Sequence, residues 1–95
     1  MAQLDRATRE DIDQLLSRAL AAWKSLADVE RDIDTWELED QLAFVEEWPL
    51  EEDRLRRLAS MGQAGVLSES QRVRYRQLLE LVEQRRTVVD GLLRA

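Results

Sequence analysis

The chain contains neither cysteine nor histidine. Without cysteine there is no disulfide, no thiolate nucleophile and no soft-metal site, a composition compatible with a reducing compartment. Without histidine, the commonest general base and the commonest transition-metal ligand are both missing. Ser17, Ser25, Ser60, Ser68 and Ser70 therefore have no suitable base at a recognisable spacing. Glycine occurs three times and never in a phosphate-cradling loop. No uninterrupted apolar run approaches the ~18–20 residues that span a bilayer. The opening MAQLDRATRED is polar and lacks the apolar core of a leader peptide, so the expected location is the cytoplasm. Lysine is scarce as well: thirteen arginines stand against Lys24 alone, which fits a GC-rich, bacterial coding sequence. These absences leave little room for catalysis, and the chain reads as a non-enzyme with no cofactor.

What is present is charge, unevenly divided. Between Asp28 and Asp53 twelve acidic residues face one basic residue, Arg31. From Arg54 onward nine arginines face four carboxylates, and the first 27 residues balance, for a net charge of −6. Like charges packed this densely repel, so the acidic block needs cations nearby. They can come from the Arg-rich C-terminal helix, from that helix in a second copy, or from a basic macromolecule. The negative total disfavours general affinity for nucleic acid or an anionic membrane.

Ninety-five residues suffice for one domain (1–95) that buries about two thirds of its unfolded surface. One proline, few glycines and no strand-like alternation make the expected fold all-α, a small helical bundle. The first helix is expected near 8–31, with Thr8 and Asp11 as an acidic capping box. Its apolar stripe is Ile12, Leu15, Leu16, Ala19, Leu20, Trp23, Leu26 and Ala27. A second helix is expected near 35–48, with Asp34 as N-cap and Ile33 stapled onto Leu38. After Pro49 the apolar positions Leu55, Leu58, Ala59 and Met61 are rotated by roughly 100° from those before it. A straight helix would bury one stretch and expose the other. The expectation is therefore a break or sharp kink at Pro49, giving three long arms with the middle one broken, a further helix near 49–64 and four helices in all. Gly65 reads as a C-cap, and Ser68 with Gln71 as a capping box for the last helix, near 68–93. Its expected face is Tyr75, Leu78, Leu79, Val82, Val89, Leu92 and Leu93.

Candidate contact residues follow from departures from this pattern. Trp36 falls on the side of Ala43 and Glu47, away from Leu38, Leu42 and Val45. It is read as an interface anchor, or else as a ring tucked beneath the first helix. Arg85 lies near the centre of the last helix's apolar face and Glu30 on that of the first. A buried charge must be paired or snorkel to water, so either the two form a pair or both heads reach solvent. Arg72, Arg74 and Arg76 surround Tyr75 in a basic cluster, read as neutralised by the acidic block rather than as a phosphate site. Glu46, Glu47, Glu51 and Glu52 offer the densest acidic surface. Carboxylates alone can hold Mg²⁺, yet the EExxE and later ExxD elements of helical nucleotide pyrophosphohydrolases are not met, since Trp48–Pro49–Leu50 separates Glu47 from Glu51.

The expected role is thus a non-catalytic protein–protein interaction module, most simply a homodimeric scaffold or adaptor. The alternative is an acidic inhibitor of antitoxin type that covers a basic partner, and a remote one is a carboxylate-based Mg²⁺-dependent hydrolase. The candidate partner-binding residues are Trp36, Glu46, Glu47, Glu51, Glu52, Arg72, Arg76 and Arg85, with no catalytic or metal-binding residue assigned.

Overall fold

In the computed structural model, which describes the backbone of residues 6–94 and the side chains of residues 8–94, three helices form an up-down-up bundle. They are α1 (Arg6–Asp32), α2 (Leu38–Gln63) and α3 (Glu69–Arg94), with a 3₁₀ turn, Ile33–Thr35, after α1. The polar opening read as lacking a leader falls partly outside the described residues. No helix among them is long and apolar enough to cross a membrane.

α1 starts before Thr8, so Thr8 sits inside the first turn and is not the cap expected of it. The α1 stripe is nonetheless the spine of the core. Ile12, Leu16, Ala19, Trp23 and Leu26 are all buried, most of them completely. α3 packs along α1 for much of its length, while α2 is more lightly attached and touches α3 little. The result is an elongated molecule, 50 × 23 × 17 Å, with a Cα radius of gyration of 15.0 Å against about 12 Å for a compact chain of this size.

The expected break at Pro49 does not occur. α2 runs continuously through the proline, although Pro49 has no N–H to donate to the Val45 carbonyl. The count is three helices among the described residues. The rotation of the apolar arc is met by leaving the start of α2 outside the core, with one buried residue on each side of the proline. Trp48 and Leu58 are the buried residues of α2, while Leu38, Leu42 and Leu50 stay 68%, 51% and 58% exposed.

The start of α2 also differs from expectation. Its N-cap is Glu37, which makes no side-chain capping bond, and Asp34 lies within the 3₁₀ turn. Gln41 holds the joint instead, donating through Nε2 to the carbonyls of Ile33 (3.0 Å) and Trp36 (3.1 Å). Leu38 is therefore not tucked under a staple. The second joint follows its local signals. Gly65 adopts φ +72°, and the N–H groups of Gly65 and Val66 bond to Gly62 O and Met61 O at 3.2 and 3.3 Å, the paired bonds of a Schellman motif. Ser68 Oγ accepts the Gln71 N–H, and Gln71 Oε1 accepts the Ser68 N–H, at 3.2 and 2.9 Å, completing a capping box.

Candidate interaction surface

α1 and α3 run upward and α2 downward, so the two joints lie at opposite ends of the rod. The end carrying the 3₁₀ turn holds the last part of α1, the first half of α2 and the end of α3. Between Trp23 and Trp48 alone it carries nine carboxylates against Lys24 and Arg31. The cations expected to neutralise this block are mostly elsewhere. Of the arginines on α3, only Arg86 pairs with it among the described residues, through a 2.6 Å bond to Glu52. Arg74 bonds instead to α1, at Asp13 and Ser17. Arg72 and Arg76 are exposed at the far end of the rod with no ion pair among the described residues. The neutralisation of the 72–76 cluster by the acidic block is thus corrected: the antiparallel course of α2 and α3 sets the two apart.

Within the block, Asp28 and Asp32 pair with Arg31, and Glu51 and Asp53 pair with Arg54 and Arg56 one helical turn on. The Arg31 guanidinium holds the Asp32 carboxyl below its ordinary range, chiefly through their hydrogen bond. Glu30, Asp34, Glu37, Glu39, Asp40, Glu46 and Glu47 are left exposed, with no ion pair among the described residues. The Glu30–Arg85 pair is not formed. Glu30 faces solvent, while Arg85 is half-buried with its Nε lacking a hydrogen-bond partner.

Glu52 has the most structured environment of the acidic residues. Its Oε2 accepts hydrogen bonds from Trp48 Nε1 at 2.9 Å and from Arg86 at 2.6 Å. Burial pushes its carboxyl up, but these two hydrogen bonds and the charges of Arg86 and Arg56 outweigh it and leave it below the ordinary range. The Arg86 guanidinium also lies 5.0 Å from the centroid of the Trp23 ring. Trp23 packs edge-on against Trp48 at 5.1 Å, Trp48 against Phe44 at 5.6 Å, and Phe44 against Trp36 at 6.4 Å. Trp36, extended at φ −77° and ψ 154°, is thus the outer end of a four-ring ladder. It lies outside α2, not within a helix from residue 35 as expected, and lines a cleft with Ala43 and Glu47.

Two clefts flank the first half of α2. One, of about 430 Å³, lies between α2 and the end of α3 and is lined by Ile33, Leu38, Leu42, Val45 and Leu92, with Glu30 and Asp34 among its walls. The other, of about 450 Å³, is bounded by Trp36, Asp40, Ala43, Phe44 and Glu47. A third groove near the far joint, about 350 Å³, contains Gly62, Tyr75 and Leu79 between Arg72 and Arg76. The Tyr75 ring packs over Gly62, where a Cβ would meet it at 3.4 Å, an ordinary van der Waals contact. Among the described residues no cluster of carboxylates is arranged to hold a metal ion.

The sequence-derived contact residues therefore do not form one site. Trp36 and Glu47 share a cleft, Glu46 stands exposed near it in sequence, and Glu51 and Glu52 face the interior pairs. Arg72 and Arg76 belong to the opposite end, and Arg85 to the half-buried face of α3. The Leu38–Leu42–Val45 cleft was missed because those side chains were read as core, and the conflict of apolar phase across Pro49 was the signal for it. No family model, curated protein or solved structure matches the chain.

Proposed function

We propose that the protein is a non-catalytic interaction module whose acidic end docks a basic amphipathic segment of another protein. The supporting observation is the cleft beside Leu38 and Leu42, two leucines 68% and 51% exposed next to carboxylates without counter-ions. Apolar side chains in a row supply affinity by burial. The surrounding unpaired negative charge supplies steering and selects cationic partners. A helix with leucines at i, i+3, i+4 and i+7 and lysines on its flanks satisfies both, laid into the groove between α2 and α3. This reading places the chain in the acidic-inhibitor or adaptor class.

A second reading, the homodimer, has its own support. Val73 and Leu79 are 46% and 41% exposed near Arg72 and Arg76, on the same helix as the groove opposite the acidic end. Two copies side by side and antiparallel about a two-fold axis would set each acidic end against the other's arginines. A symmetric contact cleft-to-cleft would instead oppose like charges, and is disfavoured.

The test uses a fluorescein-labelled helical peptide of the Leu/Lys pattern and its Leu/Glu counterpart, followed by anisotropy at low and moderate salt. Binding of the Leu/Lys peptide alone, weakened by salt and lost in Leu38→Asp/Leu42→Asp, is the expected result. Equal binding by that variant defeats the cleft reading. Light scattering on the same samples decides the second reading: a mass of one chain at low salt removes the homodimer.

A further inference from the structure

A second cleft lies on the other flank of α2, apart from the leucine cleft. Ala43 and Phe44 lie three and four residues after Asp40 and four and three before Glu47, which places the four in one stripe of the helix. On the ideal repeat this stripe is turned roughly half a revolution from Leu38 and Leu42. Trp36 closes it, and the five residues bound an open cleft of about 450 Å³.

The interior of the same molecule shows how this combination of groups is satisfied. At the inner end of the aromatic ladder, the Arg86 guanidinium covers the Trp23 ring at 5.0 Å and donates to the Glu52 carboxylate at 2.6 Å. Aromatic face, carboxylate and guanidinium complete one another there. At the outer end the ladder stops at Trp36, packed edge-on to Phe44 with an interplanar angle of 74°. Two carboxylates flank it, Asp40 and Glu47, and neither has an ion pair among the described residues. The outer end has the aromatic and anionic parts of the inner arrangement and no cation.

We propose that the notch formed by Trp36, Phe44, Asp40 and Glu47 receives an arginine side chain of a partner protein. A planar guanidinium stacks on an indole and bonds carboxylates through its fork of donors, which a compact ammonium does not do as well. The two carboxylates argue against an apolar or anionic ligand, because either would leave them desolvated and unpaired. A metal ion is not favoured, since no cluster of carboxylates among the described residues is arranged to hold one.

The probe is a short, unstructured Gly/Ser peptide carrying one arginine, compared with its lysine and citrulline counterparts. Binding is followed by the indole N–H cross-peaks of the ¹⁵N-labelled full chain, with those of the buried Trp23 and Trp48 as internal references. The arginine peptide is expected to shift the Trp36 peak saturably and leave the other two still. The lysine peptide should bind about fivefold more weakly and the citrulline peptide not measurably. Asp40→Asn/Glu47→Gln, at two exposed positions that leave the fold intact by circular dichroism, should weaken the arginine peptide about tenfold. Leu38→Asp/Leu42→Asp should leave that affinity unchanged, which separates this site from the cleft. A Trp36 peak that does not move overturns the proposal. So does equal affinity for arginine and lysine peptides, or an unchanged affinity in the Asp40→Asn/Glu47→Gln variant.

Discussion

Among the described residues, the Arg86–Glu52 pair is the one ion pair between the acidic block and α3, and its energetic worth can be stated in advance. Arg86 retains 41% side-chain exposure and Glu52 22%, so the pair lies between two limits. Fully exposed ion pairs contribute about 0.2–1 kcal/mol, and breaking a buried one costs about 3–5 kcal/mol. Arg86 also rests on Trp23, which is completely buried, and a partly desolvated cation–π contact adds about 1 kcal/mol. Arg86→Met keeps most of the aliphatic stem over the indole and should cost about 2 kcal/mol. Glu52→Gln keeps an acceptor for Trp48 Nε1 and should cost about 1 kcal/mol. The double variant should show a coupling of about 1 kcal/mol, beyond the ~0.3–0.5 kcal/mol within which independent sites add. Urea titrations followed by circular dichroism at the helical band give all four stabilities without relying on the tryptophan signal. Additive losses would mean that the two side chains do not meet in solution.

The same pair predicts a pH dependence. Glu52 titrates below its ordinary value of 4.5 in the folded chain, so its contribution is complete above that value and is lost as pH falls through the folded one. Acid titrations monitored by chemical denaturation should therefore show a shallower loss of stability in Glu52→Gln than in the parent chain. Leu58→Ala removes a fully buried side chain and should cost about 3 kcal/mol, whereas Leu42→Gln should stay within about 0.5 kcal/mol. Comparable losses from the two in thermal melts would show that Leu42 is covered in solution. Gly65→Ala, at φ +72°, should lower stability by about 1 kcal/mol through backbone strain alone, visible as a lower melting temperature with an unchanged helical spectrum.

Features written locally were legible in the sequence, and those that depend on what lies opposite were not. The Gly65 C-cap and the Ser68–Gln71 box rest on residues within a few positions of one another, and both are present as read. The α1 stripe was legible because it is long, continuous and central. On α3 the apolar arc is wider than the groove it fills. Leu79 and Leu93, read as core-facing, are 41% and 38% exposed, while Leu81 and Val88 take places against the core. Gln71 shows a related limit. Its capping role was readable, but not its 3% exposure or its 2.9 Å bond across to Asp13. Pairing of the charges was the poorest reading, because which arginine meets which carboxylate follows from the up-down-up course of the helices.

The proposed docking role rests on the unbroken α2. Burying Leu38 and Leu42 would gain about 1.5–3 kcal/mol each, so a chain optimised only for its own stability has reason to break at Pro49 and turn that stretch inward. It stays one helix, and the leucines stay out. A single exposed leucine needs no explanation, but Leu38 and Leu42 lie one turn apart, in line with Val45 and beside carboxylates that repel one another. Water screens that repulsion only partly, and a cationic apolar helix would relieve it while covering the leucines. On the opposite flank the aromatic ladder ends in the same condition, with rings and anions in place and the cation absent. Under the proposed docking role, exposure of one apolar stripe and incompleteness of the other would have one cause, a helix that presents its first half to a partner instead of folding it away.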